Sequence, residues 1–137
     1  MKAKRKIVGF VLLLALVLGG AVNIYATAGV LNVQDPKGYG IMQCTNQIYS
    51  NGKVEGMTKF VTSDYRYYRA YIRVMIYDKK GYIDVQAEKE ANAISGVYLT
   101  KSPTKKSNAK RLTTAHRVFK GTNTKSYIPT RYLTIYY

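Results

Sequence analysis

From residue 39 onward, runs rich in tyrosine, threonine, valine and isoleucine are interrupted by turn signals about every ten residues, a spacing that leaves room for strands and little room for helices. The turns can be read individually. Asp35-Pro36-Lys37-Gly38 closes an N-terminal arm, Ser50-Asn51-Gly52-Lys53 holds the Asn-Gly pair of a tight hairpin, and Asp78-Lys79-Lys80-Gly81 supplies another turn. Strands are predicted over 39–49, 54–62, 65–77, 82–87, 96–100, 111–119 and 132–137. Residues 88–93 have helix-favouring composition but are too short to hold a helix without tertiary support. Short strands joined by hairpins and by two polar loops, 101–110 and 120–126, predict an all-β fold: a small antiparallel β-sandwich, with a small β-barrel as the alternative.

The start of the chain sets its expected address. Lys2, Lys4, Arg5 and Lys6 precede an uncharged, mostly apolar run over 7–22, shorter than the roughly 18–20 residues that cross a bilayer comfortably. A polar break at Asn23 and the small residues Ala26-Thr27-Ala28 complete the pattern of an export signal. The expected organisation is a signal peptide over 1–28 cleaved after Ala28, an arm over 29–38 and a single β-domain over 39–137. The product is then secreted, free or associated with the cell wall; a retained membrane anchor is the competing reading.

Four of the 22 basic residues and none of the seven acidic ones fall in that leader, so 29–137 carries eighteen against seven, a net charge of +11. Such a field attracts polyanions and weakens with salt, because screening acts over about 8–10 Å in physiological solution. Outside a cell the expected partners are anionic cell-wall polymers, polysaccharides or a membrane surface, and export ranks nucleic acid below them. Cys44 is the only cysteine, so an internal disulfide is excluded; a buried thiol within a strand is expected, with a disulfide-linked dimer as its competitor. One cysteine and one histidine also make a poor zinc donor set, and neither a metal nor a cofactor is expected.

The clearest strand, 65–77, splits by parity into two unlike faces. Tyr68, Ala70, Ile72, Val74 and Ile76 form an apolar face. Tyr65, Tyr67, Arg69, Tyr71, Arg73, Met75 and Tyr77 form the other, with neighbours roughly 6.5–7 Å apart. That spacing lets guanidinium groups lie on phenol rings. The stripe fits a solvent face stabilised by cross-strand pairs, or a surface that stacks flat sugar or base faces while arginines hold anions. If Leu133 and Ile135 point inward, Tyr132, Thr134 and Tyr136 point outward and extend it.

A second candidate region is the run of basic loop residues Lys101, Lys105, Lys106, Lys110 and Arg111, followed by Arg117, Lys120 and Lys125. Acidic residues stop after Glu90, and the loops 102–110 and 120–125 are expected to build one basic face. The ligand-binding candidates are therefore Tyr67, Arg69, Tyr71, Arg73, Lys105, Lys106, Lys110 and Arg111. No catalytic residue is assigned. His116 has no acidic neighbour in sequence to orient it, and the chain has no phosphate loop, dinucleotide fingerprint or nucleophile elbow. The expectation is a non-enzymatic binding protein of the cell envelope or extracellular space that recognises anionic polymers or glycans. The alternative is a secreted antagonist of bacteriocin or toxin type acting on other cells.

Overall fold

A computed structural model describes residues 25–63 and 67–137, with side chains from residue 27 on. The expected leader up to residue 24, and Tyr65 at the head of the expected third strand, lie outside the described residues. The strands are β1 (Tyr25–Gln34), β2 (Gly40–Tyr49), β3 (Val54–Thr62), β4 (Tyr68–Asp78), β5 (Ile83–Asn92), β6 (Val97–Lys101), β7 (Ala109–Lys120) and β8 (Ile128–Tyr136). A single 3₁₀ turn over Lys106–Asn108 precedes β7. Two four-stranded antiparallel sheets form, ordered β1-β2-β3-β6 and β5-β4-β7-β8. They stack as a sandwich and do not close into a barrel, so the barrel alternative falls.

Alternation builds the core. From β4, Tyr68, Ala70, Ile72, Val74 and Ile76 all point inward and are almost completely buried, meeting Met42, Cys44 and Ile48 of β2 and Val54 and Phe60 of β3. Leu112 and Val118 of β7 and Ile135 of β8 fill the same layer. Leucine is scarce, and aromatic rings supply the missing volume at one end. Phe60, Tyr68 and Tyr127 pack with ring centroids 4.8 to 6.4 Å apart. The Tyr127 hydroxyl donates to buried Asp35 Oδ2 at 2.7 Å, so the half-buried ring packs without orphaning its polar tip.

The structure departs from the sequence reading at three places. The expected arm, 29–38, is mostly strand: β1 runs to Gln34 and pairs with β2 from Tyr25↔Tyr49 to Gln34↔Ile41. Its Leu31 and Val33 cover the open side of the core, and only the Asp35 turn stays outside the sheet. Residues 88–92 continue β5, because pairing with β4 supplies the hydrogen bonds a short helix could not hold. Finally β8 begins at Ile128, with Pro129 inside it, which an edge strand tolerates because proline's missing N–H removes no ladder bond on the open side.

Two hairpins use the same turn chemistry. In Asp35-Pro36-Lys37-Gly38-Tyr39 the Asp35 carboxylate accepts from Lys37 N–H and Tyr39 N–H. In Asp78-Lys79-Lys80-Gly81-Tyr82 the Asp78 carboxylate accepts from Lys80 N–H and Tyr82 N–H, each at 2.9 Å. The β2–β3 hairpin turns through Gly52 at φ +87°, a conformation that disfavours any residue with a Cβ.

Candidate functional site

The outer face of the second sheet holds the expected tyrosine–arginine stripe. Cross-strand register places Tyr71 beside Arg117, Tyr77 beside Arg111 and Arg69 beside Phe119, while β5 brings Glu88 opposite Arg73 and Glu90 opposite Tyr71. The stripe is consequently bound up in its own sheet. Arg73 donates to Glu88 Oε2 from Nε at 3.1 Å and from Nη2 at 2.9 Å, and the Tyr71 hydroxyl donates to the same oxygen at 2.7 Å. Arg69 pairs with Glu90 and also donates to the Gly121 and Asn123 carbonyls, both at 2.8 Å.

Stacking completes the arrangement. The Arg111 guanidinium lies 3.9 Å from the Tyr77 ring centre, that of Arg69 5.0 Å from Phe119, and that of Arg117 5.2 Å from Tyr71. The Tyr71 hydroxyl and the Arg73 guanidinium hold the Glu88 carboxyl below the usual carboxylate range, and the Arg73 charge is strengthened in turn by its bond to Glu88. Burial, reinforced by Glu88, pushes the Tyr71 phenol up. Tyr71 and Met75 are buried, leaving Tyr67 as the open ring at the head of the stripe. On this face the open surface lies one and two strands further over. Tyr132 and Tyr136 of β8 are 60 % and 58 % exposed, and β8 does share the sheet with β4, across β7.

The two basic loops do not form one face. Residues 102–108 precede the twelve-residue β7 and residues 121–127 follow it, so the loops sit at opposite ends of the sandwich. What gathers around the first loop is a different set. Lys106 Nζ donates to the Ser50 carbonyl, and its stem covers Gly52 in the β2–β3 turn. Lys79 N–H donates to the Asn108 carbonyl at 2.9 Å, which ties in the β4–β5 turn. The Tyr137 hydroxyl reaches the Gly52 carbonyl at 3.0 Å and its N–H reaches the Lys110 carbonyl at 2.9 Å. Three turns from both sheets therefore converge and carry exposed Lys53, Lys79, Lys80, Lys105, Lys106 and Lys110. Sequence reading missed Lys53, Lys79 and Lys80, because only the tertiary contacts of separate turns bring them together.

Every side-chain carboxylate among the described residues has a hydrogen-bond partner. Glu88 and Glu90 hold the stripe arginines, Asp35 and Asp78 close their turns, Asp84 accepts from Thr104 N–H, and Glu55 accepts from Gln47 and Thr100. The ion pairs of the described residues are those of Arg69 and Arg73, so no lysine of the lysine end is ion-paired among the described residues.

His116 is buried between the sheets, not placed in a cleft. Thr58 Oγ1 donates to the Tyr71 carbonyl at 2.9 Å and so accepts from His116 Nδ1–H at 2.8 Å. Thr114 Oγ1 accepts from Asn46 Nδ2 at 3.2 Å and lies 2.7 Å from His116 Nε2, which in the neutral ring protonated at Nδ1 accepts the Thr114 hydroxyl. Burial favours that neutral ring and pushes its pKa down to about 4, against an opposing effect of the Met57 backbone. Cys44 faces the core, fully buried, and burial raises its thiol to about 12. A disulfide between two copies would require this sulfur to leave the core. Among the described residues, no three His, Cys, Asp or Glu side chains gather to hold a metal ion.

No protein-family model matches the chain, and neither a curated protein nor a solved structure matches it.

Proposed function

We propose that this is an exported, non-enzymatic binding protein that holds anionic polymers of the cell envelope or its surroundings by charge. The observation that carries the reading is that the ion pairs among the described residues are those of Arg69 and Arg73, so the exposed lysines are not ion-paired among the described residues. A chain built only for solubility gains little by concentrating charge of one sign, since self-repulsion opposes the compact state. The exposed rings of Tyr132 and Tyr136, beside Arg111 on the next strand, add a surface on which flat polymer units can stack.

The test is retention on isolated cell walls or on an immobilised polyanion. Binding at low ionic strength and release as salt rises are expected, because exposed charges are screened within about a nanometre at physiological salt. Retention that does not respond to salt, or absence of binding at low salt, would overturn the reading.

A further inference from the structure

We infer that the polymer, a flexible linear polyanion, is gripped at the lysine end of the sandwich, not along the tyrosine–arginine stripe. The inference rests on the polyanion reading above and adds to it the site.

The stripe is a poor docking surface because its charge is already balanced. Arg73 and Arg69 are held by Glu88 and Glu90, and a ligand would have to displace a carboxylate before it could pair with either guanidinium. The lysine end presents no such barrier. Its ammonium groups stand on turns fixed by backbone hydrogen bonds, namely Tyr49 N–H to the Lys53 carbonyl, Lys79 N–H to the Asn108 carbonyl and Asn108 N–H to the Lys105 carbonyl. The nearby carboxylates, Asp78 and Asp84, accept from backbone N–H groups and keep their charge, but Lys53, Lys79, Lys80, Lys105, Lys106 and Lys110 outnumber them. A cationic cluster therefore exists before the ligand arrives and needs no ion pair broken.

The cluster consists of lysines, whereas Arg69, Arg73, Arg111 and Arg117 are stacked on rings or held by glutamates. Its members arise from both sheets, whose backbones stand about 10 Å apart, so several repeats of a linear chain must lie across it together. A flexible chain can follow such a patch across the end of the sandwich.

The experiment measures binding of long-chain inorganic polyphosphate as a function of salt, using two variants that lose the same net charge at different places. The first carries Lys79→Gln, Lys80→Gln and Lys105→Gln. The second carries Lys37→Gln, Lys89→Gln and Lys125→Gln, all exposed and all away from the lysine end. Each lost phosphate contact lowers the log–log salt slope by about 0.7, so the first variant should lose about 2 from the slope and bind at least tenfold more weakly at physiological salt. The second should keep the wild-type slope. Equal losses in both variants would overturn the assigned site while leaving the polyanion reading in place. Failure of the wild type to bind any polyanion at low salt would remove the underlying reading and this inference with it.

Discussion

Acidification from pH 7 to pH 4 asks His116 to accept a proton where both ring nitrogens already have partners. Nε2 receives the Thr114 hydroxyl proton, so protonation there would set two donors face to face across 2.7 Å in a site without solvent. The folded pKa is about 4 against an ordinary 6.5, and burial is the principal cause. A folded pKa below the unfolded one means that the unfolded chain takes the proton first. The neutral ring's contribution is complete above pH 6.5, falls as pH drops toward 4 and is exhausted below that. A gap of two and a half pK units corresponds to ~3 kcal/mol, a large fraction of the 5–15 kcal/mol typical of a domain. Urea unfolding between pH 7.5 and 4 should show the midpoint falling across this window. His116→Gln, which cannot titrate, should be weaker at pH 7 but nearly flat above about pH 5. Asp35 and Glu88 leave the result clear above about pH 5. Their folded pKa values lie below the ordinary carboxylate values, so their contributions are lost as pH falls from about 5 through the ordinary values toward the folded ones. A wild-type midpoint that stays level from pH 6.5 to 4.5, or a slope that survives in His116→Gln above about pH 5, would refute the neutral-ring account.

Three other perturbations follow from particular contacts. A Cβ at Gly56 would lie 3.1 Å from both Ile72 Cδ1 and Thr114 Cγ2, so Gly56→Val should overpack the contact between the sheets and cost about 1–3 kcal/mol in a urea melt. Tyr127→Phe removes the hydroxyl donor from buried Asp35 Oδ2 and should cost about 1–3 kcal/mol at neutral pH, whereas the same change at exposed Tyr132 should be silent. The Cys44 thiol should resist an aromatic disulfide reagent at pH 8 in the folded protein and react with one equivalent once unfolded, because it is buried and titrates near 12.

Much of the architecture was legible because it rests on strand parity and on turn chemistry. Tyr68, Ala70, Ile72, Val74 and Ile76 alternate with polar or amphipathic residues so regularly that their common face follows from the pleat alone, and Asn51-Gly52 marks its hairpin with equal clarity. The segment 29–34 was not legible as a strand. Its inward residues Leu31 and Val33 are mixed with Val30 outside, which blurs the alternation, and pairing with β2 makes it a strand. The candidate site divides in the same way. Stacking of arginines on tyrosines along β4 is a matter of spacing and could be anticipated. The glutamates that neutralise those arginines could not, because Glu88 and Glu90 come within reach of them only once β5 is known to pair with β4. The lysine end was hidden for a related reason, since Lys53, Lys79 and Lys105 lie on three separate turns.

The start of β1 has a further consequence for how the chain reaches its final form. The strand begins at Tyr25, so the expected cleavage after Ala28 falls inside it, among the pairs Thr27↔Ile48 and Ala28↔Gln47. Thr27 Oγ1 also donates to the Tyr136 carbonyl at 2.9 Å, which fastens this part of β1 to the last strand of the other sheet. A peptidase needs its substrate extended and unpaired, whereas a docked β1 is hydrogen-bonded to β2 along one side over these residues. A cut after Ala28, if the expected processing occurs there, must therefore precede the docking of β1. Purified precursor allowed to fold should resist signal peptidase at the bond after Ala28, and precursor presented during unfolding should be cut there. The cut product retains β1 only over 29–34 and loses the Thr27–Tyr136 bond, so it should be less stable than a chain starting at Tyr25 by about 1 kcal/mol. Equal cleavage of folded and unfolded precursor would show that 25–28 is not held in the sheet. An exported product whose first residue lies upstream of Tyr25 would move the processing site out of the strand and remove the conflict.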